Sequence, residues 1–455
     1  MKNIKLALWA ILLGLTGLWL LAAVWPESAT FFAIRGVMVQ YSGVMGMGVM
    51  SIAMFLAIRP RWLEPLLGGL DKSYRLHKWL GIAGLIIATT HWLWAKGPKW
   101  MVGWGLLERP QRGPRPGGAT EQTVLSWSES IQQLFRSQRG LAESIGEWAF
   151  YGAAILMILA LIKLFPYHWF AKTHKWIAVA YLALVFHATI LVDFSYWSQP
   201  VGWVTALLMV AGTVSAVLVL LGRVGATHRV KGTIETLEYH DELRVLETTI
   251  KLNEGWPGHQ AGQFAFVNFD DKEGRHPFTI ASDWNPENRN ILFISKALGD
   301  YTELMPEHLH VQTAVSVEGP YGRFTFDDTN PRQIWVGAGI GITPFIARMK
   351  ELAQAAQQGA EAKVVTLFCC TPEPDPAIRE KLEADARAAN IQLHMVVDGK
   401  DERLTGERIR ALIPEWLSAS VWFCGPAGFG QSLRSDMTRN GLAEQAFHQE
   451  LFNMR

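Results

Sequence analysis

The hydrophobic pattern divides the chain into two regimes. Up to about residue 225 apolar residues come in long unbroken runs, and beyond it they come in short alternating ones. The long runs cover 7–25, Phe32–Ile58, DKSYRLHKWLGIAGLIIATTHWLW, Trp148–Leu164, AKTHKWIAVAYLALVFHATILV and Val201–Leu221. About 20 apolar residues in a helix cross the hydrocarbon core of a bilayer, so six membrane-spanning helices are expected. The first run follows Lys2 and Lys5 and leads into LAAVWPESA, which also suits a cleaved signal. It is longer than the ~7–15 residues of a signal core, which favours an uncleaved span. Between the third and fourth runs, from about Ala95 to Glu147, a long outward loop is expected, irregular at RPQRGPRPGG.

From Thr227 the period becomes two. KGTIETLEYHDELRVLETTIKL and GQFAFVNF alternate apolar and polar, with glycine and proline punctuation through EGPYGRF. That pattern predicts an antiparallel β-barrel of about six strands over 226–330. Beyond it, RQIWVGAGIGITPFIARMKELA, KVVTLFCC, PAIREKLEADARAAN, IQLHMVV, GERIRALI and SVWFCGPAGFG alternate strand and helix. This predicts a doubly wound parallel α/β domain over 331–455. The fold class is therefore multi-domain: a six-helix transmembrane bundle over 1–225, then a barrel, then an α/β domain.

Composition sharpens the division. Fifteen of the 20 Trp precede residue 225. The first 225 residues carry 19 Lys+Arg against 9 Asp+Glu, and the remainder 23 against 32, so a net charge of +1 conceals a basic half and an acidic half. Arg59, Arg61, Lys72, Arg75, Lys78, Lys163, Lys172 and Lys175 fall on one side of the spans, together with Lys2, Lys5, Arg223 and Arg229. By the positive-inside rule that side is cytoplasmic. Cys369, Cys370 and Cys424 show no CxxC spacing, which points to a reducing compartment rather than a metal or disulfide framework.

The chemistry centres on four histidines. His77 and His91 lie fourteen residues apart on the third run, and His174 and His187 thirteen apart on the fifth. Ionisable groups at membrane depth are costly and usually functional. Each spacing separates two levels by roughly 20 Å along a helix, so two adjacent helices would offer one imidazole pair near each membrane face. Facing imidazoles are what a six-coordinate haem iron requires. Fourteen residues return to within ~40° of the starting face of a helix, whereas thirteen miss it by ~140°. The second helix is therefore expected to be distorted or tilted, or to meet haems that are rotated differently. Arg35, near the outer end of the second span, reads either as an interfacial side chain or as a partner for a haem propionate or anionic product.

In the barrel, His276-Pro277-Phe278-Thr279 offers an aromatic ring and hydrogen-bonding groups at a strand. Gly299-Asp300-Tyr301-Thr302 opens a helix whose free N–H groups suit a pyrophosphate. In the α/β domain Gly337, Gly339 and Gly341, followed by Thr343-Pro344, let backbone approach a phosphate; the spacing is GxGxG rather than GxGxxG. Cys424-Gly425-Pro426 ends a strand at the carboxyl edge, where such sheets bind ligands; the alternative for Cys424 is a small buried residue.

Taken in order, the paired histidines, HPFT, GDYT, GPYG, GAGIGITP and CGP resemble the ferric reductase and NADPH oxidase superfamily in its single-chain bacterial form. The resemblance covers nearly the whole chain. It implies His77 with His174 as ligands of an inner haem b, and His91 with His187 as ligands of an outer one. It implies His276–Thr279 against the flavin of FAD, Gly299–Thr302 at its pyrophosphate, and Gly337, Gly339, Gly341, Thr343 and Pro344 at NAD(P)H, with NADPH favoured over NADH. Cys424 falls near the hydride-transfer centre, and Phe452 is the expected aromatic over the isoalloxazine. The implied activity moves electrons from cytoplasmic NAD(P)H through FAD and two haems to an extracytoplasmic acceptor, dioxygen or ferric iron, across a bacterial inner membrane. The alternative is a relay subunit that serves a periplasmic protein partner. Nothing points to nucleic acid.

Overall fold

The computed structural model describes residues 2–108, 126–162, 164–270, 273–359, 363–372 and 376–450. The chain forms two compact units, one of 1–60 with 72–224 and one of 61–71 with 225–454.

The first unit is helical. Its elements are α1 (Lys2–Ala22), α2 (Phe31–Ala57), α4 (Leu70–Gly103, whose first two residues belong to the second unit), α5 (Trp127–Leu161), α6 (Tyr167–His174), α7 (Ile177–Leu191) and α8 (Pro200–Leu220); α3 (Glu64–Leu67) is a single turn in the second unit. α2 starts where the Thr30 side chain accepts from the Ala33 N–H. It buries a stripe of small residues and methionines, among them Gly46, Met47, Met50, Ser51 and Met54. Small residues let apolar helices approach closely, and polar side chains then bond between them. Here Ser51 Oγ and Tyr181 Oη lie 2.8 Å apart, Tyr181 also donates to the Met209 carbonyl at 3.3 Å, and a Cβ on Gly212 would overlap the phenol.

Among the described residues five helices are long and apolar enough to cross a membrane, one fewer than the pattern predicts. The missing one is α4. At about 1.5 Å per residue it is long enough, but charged residues crowd both ends and leave only Trp79–Ala95 free of Asp, Glu, Lys and Arg.

The expected loop between the third and fourth runs is mostly helix. α4 continues to Gly103 and α5 begins at Trp127, so α5 starts 21 residues ahead of the predicted Trp148. Its start is fixed by a capping box: Ser126 accepts from the Glu129 N–H, and the Glu129 carboxylate accepts from the Ser126 N–H at 2.8 Å. The RPQRGPRPGG stretch lies outside the described residues. The fifth run is broken: α6 ends at His174, α7 starts at Ile177, and Lys175-Trp176 form a turn between them. The interruption falls between His174 and His187, and a distortion there is one of the arrangements expected for the thirteen-residue spacing.

The second unit opens with a six-stranded antiparallel sheet, β1 (Arg229–His240), β2 (Val245–Leu252), β3 (Phe264–Asp270), β4 (Gly274–Thr279), β5 (Asn290–Lys296) and β6 (Ala314–Tyr321), with α9 (Asp300–His308) before β6. The strand order is β4-β3-β6-β1-β2-β5, and an Ile280–Phe293 bridge lies beyond β4, against β5. Alternation places Ile234, Ile250, Val267, Ile291 and Val317 in a shared core. A parallel sheet follows, ordered β11-β10-β7-β8-β9, from β7 (Arg332–Ala338), β8 (Val364–Thr371), β9 (Gln392–Val397), β10 (Ala419–Cys424) and β11 (Phe447–Gln449). α10 (Thr343–Gln357), α11 (Pro376–Ala388), α12 (Gly406–Leu412) and α13 (Ala427–Arg439) complete it. Trp335 packs with Phe345 and Leu367 on one face, and Ile334 and Val336 pack with Phe368 and Phe423 on the other.

Residues 61–71 belong to this second unit although they lie between α2 and α4 in sequence. Glu64 is buried and accepts from the Gly322 N–H of the EGPYGRF turn at 2.9 Å. Burial pushes its carboxyl above the usual range, although the Gly322 amide opposes this.

Candidate functional site

Two helical segments bring the four histidines together in pairs. His77 faces His174 with ring centroids 6.0 Å apart, and His91 faces His187 at 6.2 Å. A metal–imidazole bond of about 2.0 Å plus roughly 1 Å from nitrogen to ring centre, taken on both sides, gives about 6 Å. Both pairs therefore have the spacing of two axial ligands on one metal. A metal-bound histidine normally donates its other N–H to a carbonyl or carboxylate, which fixes the tautomer. Three of the four are placed to do this: His77 Nδ1 lies 2.8 Å from Ala53 O, His187 Nδ1 2.8 Å from Ala142 O, and His91 Nδ1 3.1 Å from Val39 O. Glycine makes the approach possible, since a Cβ on Gly146 would overlap the His187 ring. The residues fit a pair of bis-histidine haems.

A cavity of about 430 Å³ opens beside His91 and His187. Its lining is cationic in excess, with Arg35, Lys96, Lys99 and Arg139 against Glu143 and Glu147. Lys96 pairs with Glu147 at 2.6 Å, and Tyr151 donates to the same carboxylate at 2.8 Å. Arg35 donates to the Trp94 and Ala95 carbonyls of α4 at 3.1 and 3.0 Å while lining this cavity.

In the second unit the HPFT strand and the GDYT turn meet. The rings of His276 and Tyr301 stack at 4.1 Å and 13°. Burial lowers the His276 imidazole and raises the Tyr301 phenol, so both are held neutral. Phe278 packs edge-on against Phe269 and Phe293, and Thr279 pairs with Phe264. Gly299 caps α9, and Thr302 Oγ1 accepts from the Leu298 and Gly299 N–H groups at 3.0 and 3.2 Å.

The glycine-rich turn joins β7 to α10. Gly339 has φ +58°, and a Cβ on Gly341 would overlap the Cys424 carbonyl, so the turn can lie against the end of β10 only as glycine. Thr343 and Pro344 open α10 and are buried. Cys424 is wholly buried, and burial holds its thiol far up, with Glu450 as a further influence. Gly425 has φ +159° and packs against Ala338; Pro426 caps α13. Phe452 lies outside the described residues.

Sequence reasoning missed a cleft of about 110 Å³ beside this turn. Gly339, Ile340, Leu292 and Ile294 form apolar walls, and Lys296, Lys350, Arg379 and Lys381 bring cations. Thr371 at the end of β8 also lines it. Lys381 bonds Glu247 of β2 at 3.1 Å. Desolvation lowers the Lys350 ammonium and raises the Asp385 carboxyl, outweighing their mutual attraction. The available signal was Lys296, two residues beyond Ile294 at the end of an alternating strand and three ahead of GDYT.

Residues 42–185 match the ferric reductase like transmembrane component, and residues 231–325 match an FAD-binding domain. Ferric reduction oxidase 5 of Arabidopsis thaliana is 36% identical over 99 residues, 21% of this chain and 14% of that protein. The stachydrine N-demethylase reductase subunit of Rhizobium meliloti is 27% identical over 210 residues, 43% of this chain and 58% of that protein. The chain thus spans less than two-thirds of the length of either relative. A flavohemoglobin from Malassezia yamatoensis, 18% identical, aligns over 91% of this chain and 99% of its own, with a TM-score of 0.45.

Proposed function

Because this chain belongs to the ferric reductase and NADPH oxidase superfamily, we propose that it is a membrane oxidoreductase that delivers electrons from cytoplasmic NAD(P)H to an acceptor outside the cytoplasm. The observation that carries this reading is the double histidine pairing, at 6.0 and 6.2 Å, with three Nδ1 atoms held at backbone carbonyls. Residues 1–225 form the di-haem domain with α4 as the sixth span, 226–330 bind FAD, and 331–455 bind NAD(P)H. When bound, FAD splits a hydride into single electrons and two b-type haems offer a one-electron path through the bilayer.

The chain's own residues do the positioning. His77 with His174 and His91 with His187 would each hold one haem iron between two imidazoles, and iron so held would pass electrons to the acceptor without binding it. His276 and Tyr301 form a neutral aromatic wall for the flavin, and the first turn of α9 receives its pyrophosphate. Gly337, Gly339 and Gly341 admit the nucleotide phosphates, and Lys296 and Arg379 in the cleft complement their charge. Cys424 sits at the hydride-transfer edge as a neutral packing group. The cationic excess around the outer cavity suits haem propionates and an anionic acceptor, with Arg35 among the cations.

Dioxygen and a ferric chelate are the acceptors proposed. They are separated with detergent-purified protein and NAD(P)H, following cytochrome c reduction with and without superoxide dismutase and ferric-chelate reduction under argon. A dismutase-sensitive signal supports dioxygen; a dismutase-insensitive signal with fast anaerobic iron reduction supports the ferric reductase. Absence of haem from the purified protein overturns the proposal. A second reading, a relay subunit for a periplasmic protein partner, is favoured by the naming of the Rhizobium relative as a reductase subunit. Reduced haems that pass electrons to neither acceptor would support it.

A further inference from the structure

We infer that the two histidine pairs hold their metals through unequal outer shells, with Ser42 a positioning residue for His91 and His174 the least supported of the four ligands. The inference rests on the di-haem reading above. His91 Nδ1 has two oxygen partners, the Val39 carbonyl and Ser42 Oγ, each at 3.1 Å. The Ser42 hydroxyl is itself within 2.6 Å of the Met38 carbonyl. A hydroxyl has one proton; it goes to Met38, and the oxygen is left to accept from His91. His187 and His77 each have one carbonyl partner, Ala142 and Ala53, at 2.8 Å. His174 Nδ1 is buried and meets no hydrogen-bond partner among the described residues. Its neighbour there is the Phe170 ring, at 5.0 Å and 31°. His174 is the last residue of α6, where the helix breaks.

A bond from Nδ1–H to oxygen makes the imidazole more basic at Nε2 and fixes its rotation about the metal bond. A more basic ligand favours the oxidised metal and lowers its potential. The His91/His187 pair has three such oxygen contacts and the His77/His174 pair has one. The charges around the outer cavity also act on the outer haem, so the absolute order of the two potentials is not diagnostic. The response of each haem to its own outer shell is.

The experiment is an anaerobic redox titration of the full-length protein in detergent, followed in the haem Soret and α bands. His77→Leu and His91→Leu each leave one haem and so assign the two transitions. Ser42→Ala is expected to raise the midpoint of the His91/His187 haem and leave the other in place. Phe170→Gln, which offers an amide oxygen one turn before His174, is expected to lower the midpoint of the His77/His174 haem alone. A Ser42→Ala protein in which the His91/His187 midpoint stays put, or falls, or in which the other haem moves as much, overturns the inference while the di-haem reading stands. Fewer than two haems per chain in the parent protein overturns both.

Discussion

The helix that carries His77 and His91 is continuous, whereas the stretch that carries His174 and His187 is broken between them. On α4, fourteen residues bring both imidazoles to nearly the same face, and no adjustment is needed. On α6 and α7, thirteen residues would leave them ~140° apart in a regular helix, and a turn at Lys175-Trp176 interrupts the helix between them. Both arrangements end with ring separations near 6 Å. A metal site constrains where ligand atoms finish, not the regularity of the chain that brings them there.

The comparison breaks most visibly under insertion. One alanine inserted after Gly84 turns everything beyond it on α4 by about 100°. It is expected to abolish one histidine pair and to reduce haem from two per chain to one in a pyridine haemochrome assay. The same insertion after Lys175, in the turn, is expected to retain more haem; equal losses would show that the break carries no slack. Next in size is Gly146→Ala, whose Cβ would overlap His187. It should remove the haem of the outer cavity alone, leaving a bis-histidine spectrum at half intensity. Two changes in the reductase unit serve as controls, because neither should alter haem content. His259→Asn tests a buried imidazole held neutral by desolvation, at about 4 against 6.5 ordinarily, with Nε2 at the Ser282 carbonyl. A depressed value means that this contribution to stability is complete above pH 6.5, falls as pH drops, and levels off below about 4. At most about 3 kcal/mol is at stake, so thermal melts of the parent should fall across that window and those of His259→Asn should flatten. The smallest effect is at the cleft: Lys296→Ala removes one cation and should raise the KM for NAD(P)H about fivefold, for a loss of about 1 kcal/mol, with flavin reduction at saturation unchanged.

Much of this was legible in the sequence because the signals are local. Period-two alternation marks the strands around Ile250 and Val267, and the glycine-rich turn from Gly339 falls between β7 and α10. The ends of α4 and α5 were misread because their charged outer turns look like loop in a hydropathy pattern; the SWSE box at Ser126–Glu129 was the overlooked cue. Two features have no local signature. The stacking of His276 on Tyr301 joins motifs 25 residues apart through the barrel. The Glu64–Gly322 bond spans 258 positions, and no property of EPLL announces its partner.

That last bond bears on how such a protein can be taken apart or recombined. The charge and hydropathy boundary near residue 225 invites a cut there, yet the second unit includes Arg61–Asp71, encoded upstream of α5, α6, α7 and α8. A reductase expressed from residue 226 onward would lack the carboxylate that receives the Gly322 amide. A chimera that imports a foreign reductase would confront it with a mismatched acceptor segment. The inheritable module is therefore discontinuous, and gene fusions at the visible seam are expected to need those eleven residues as well.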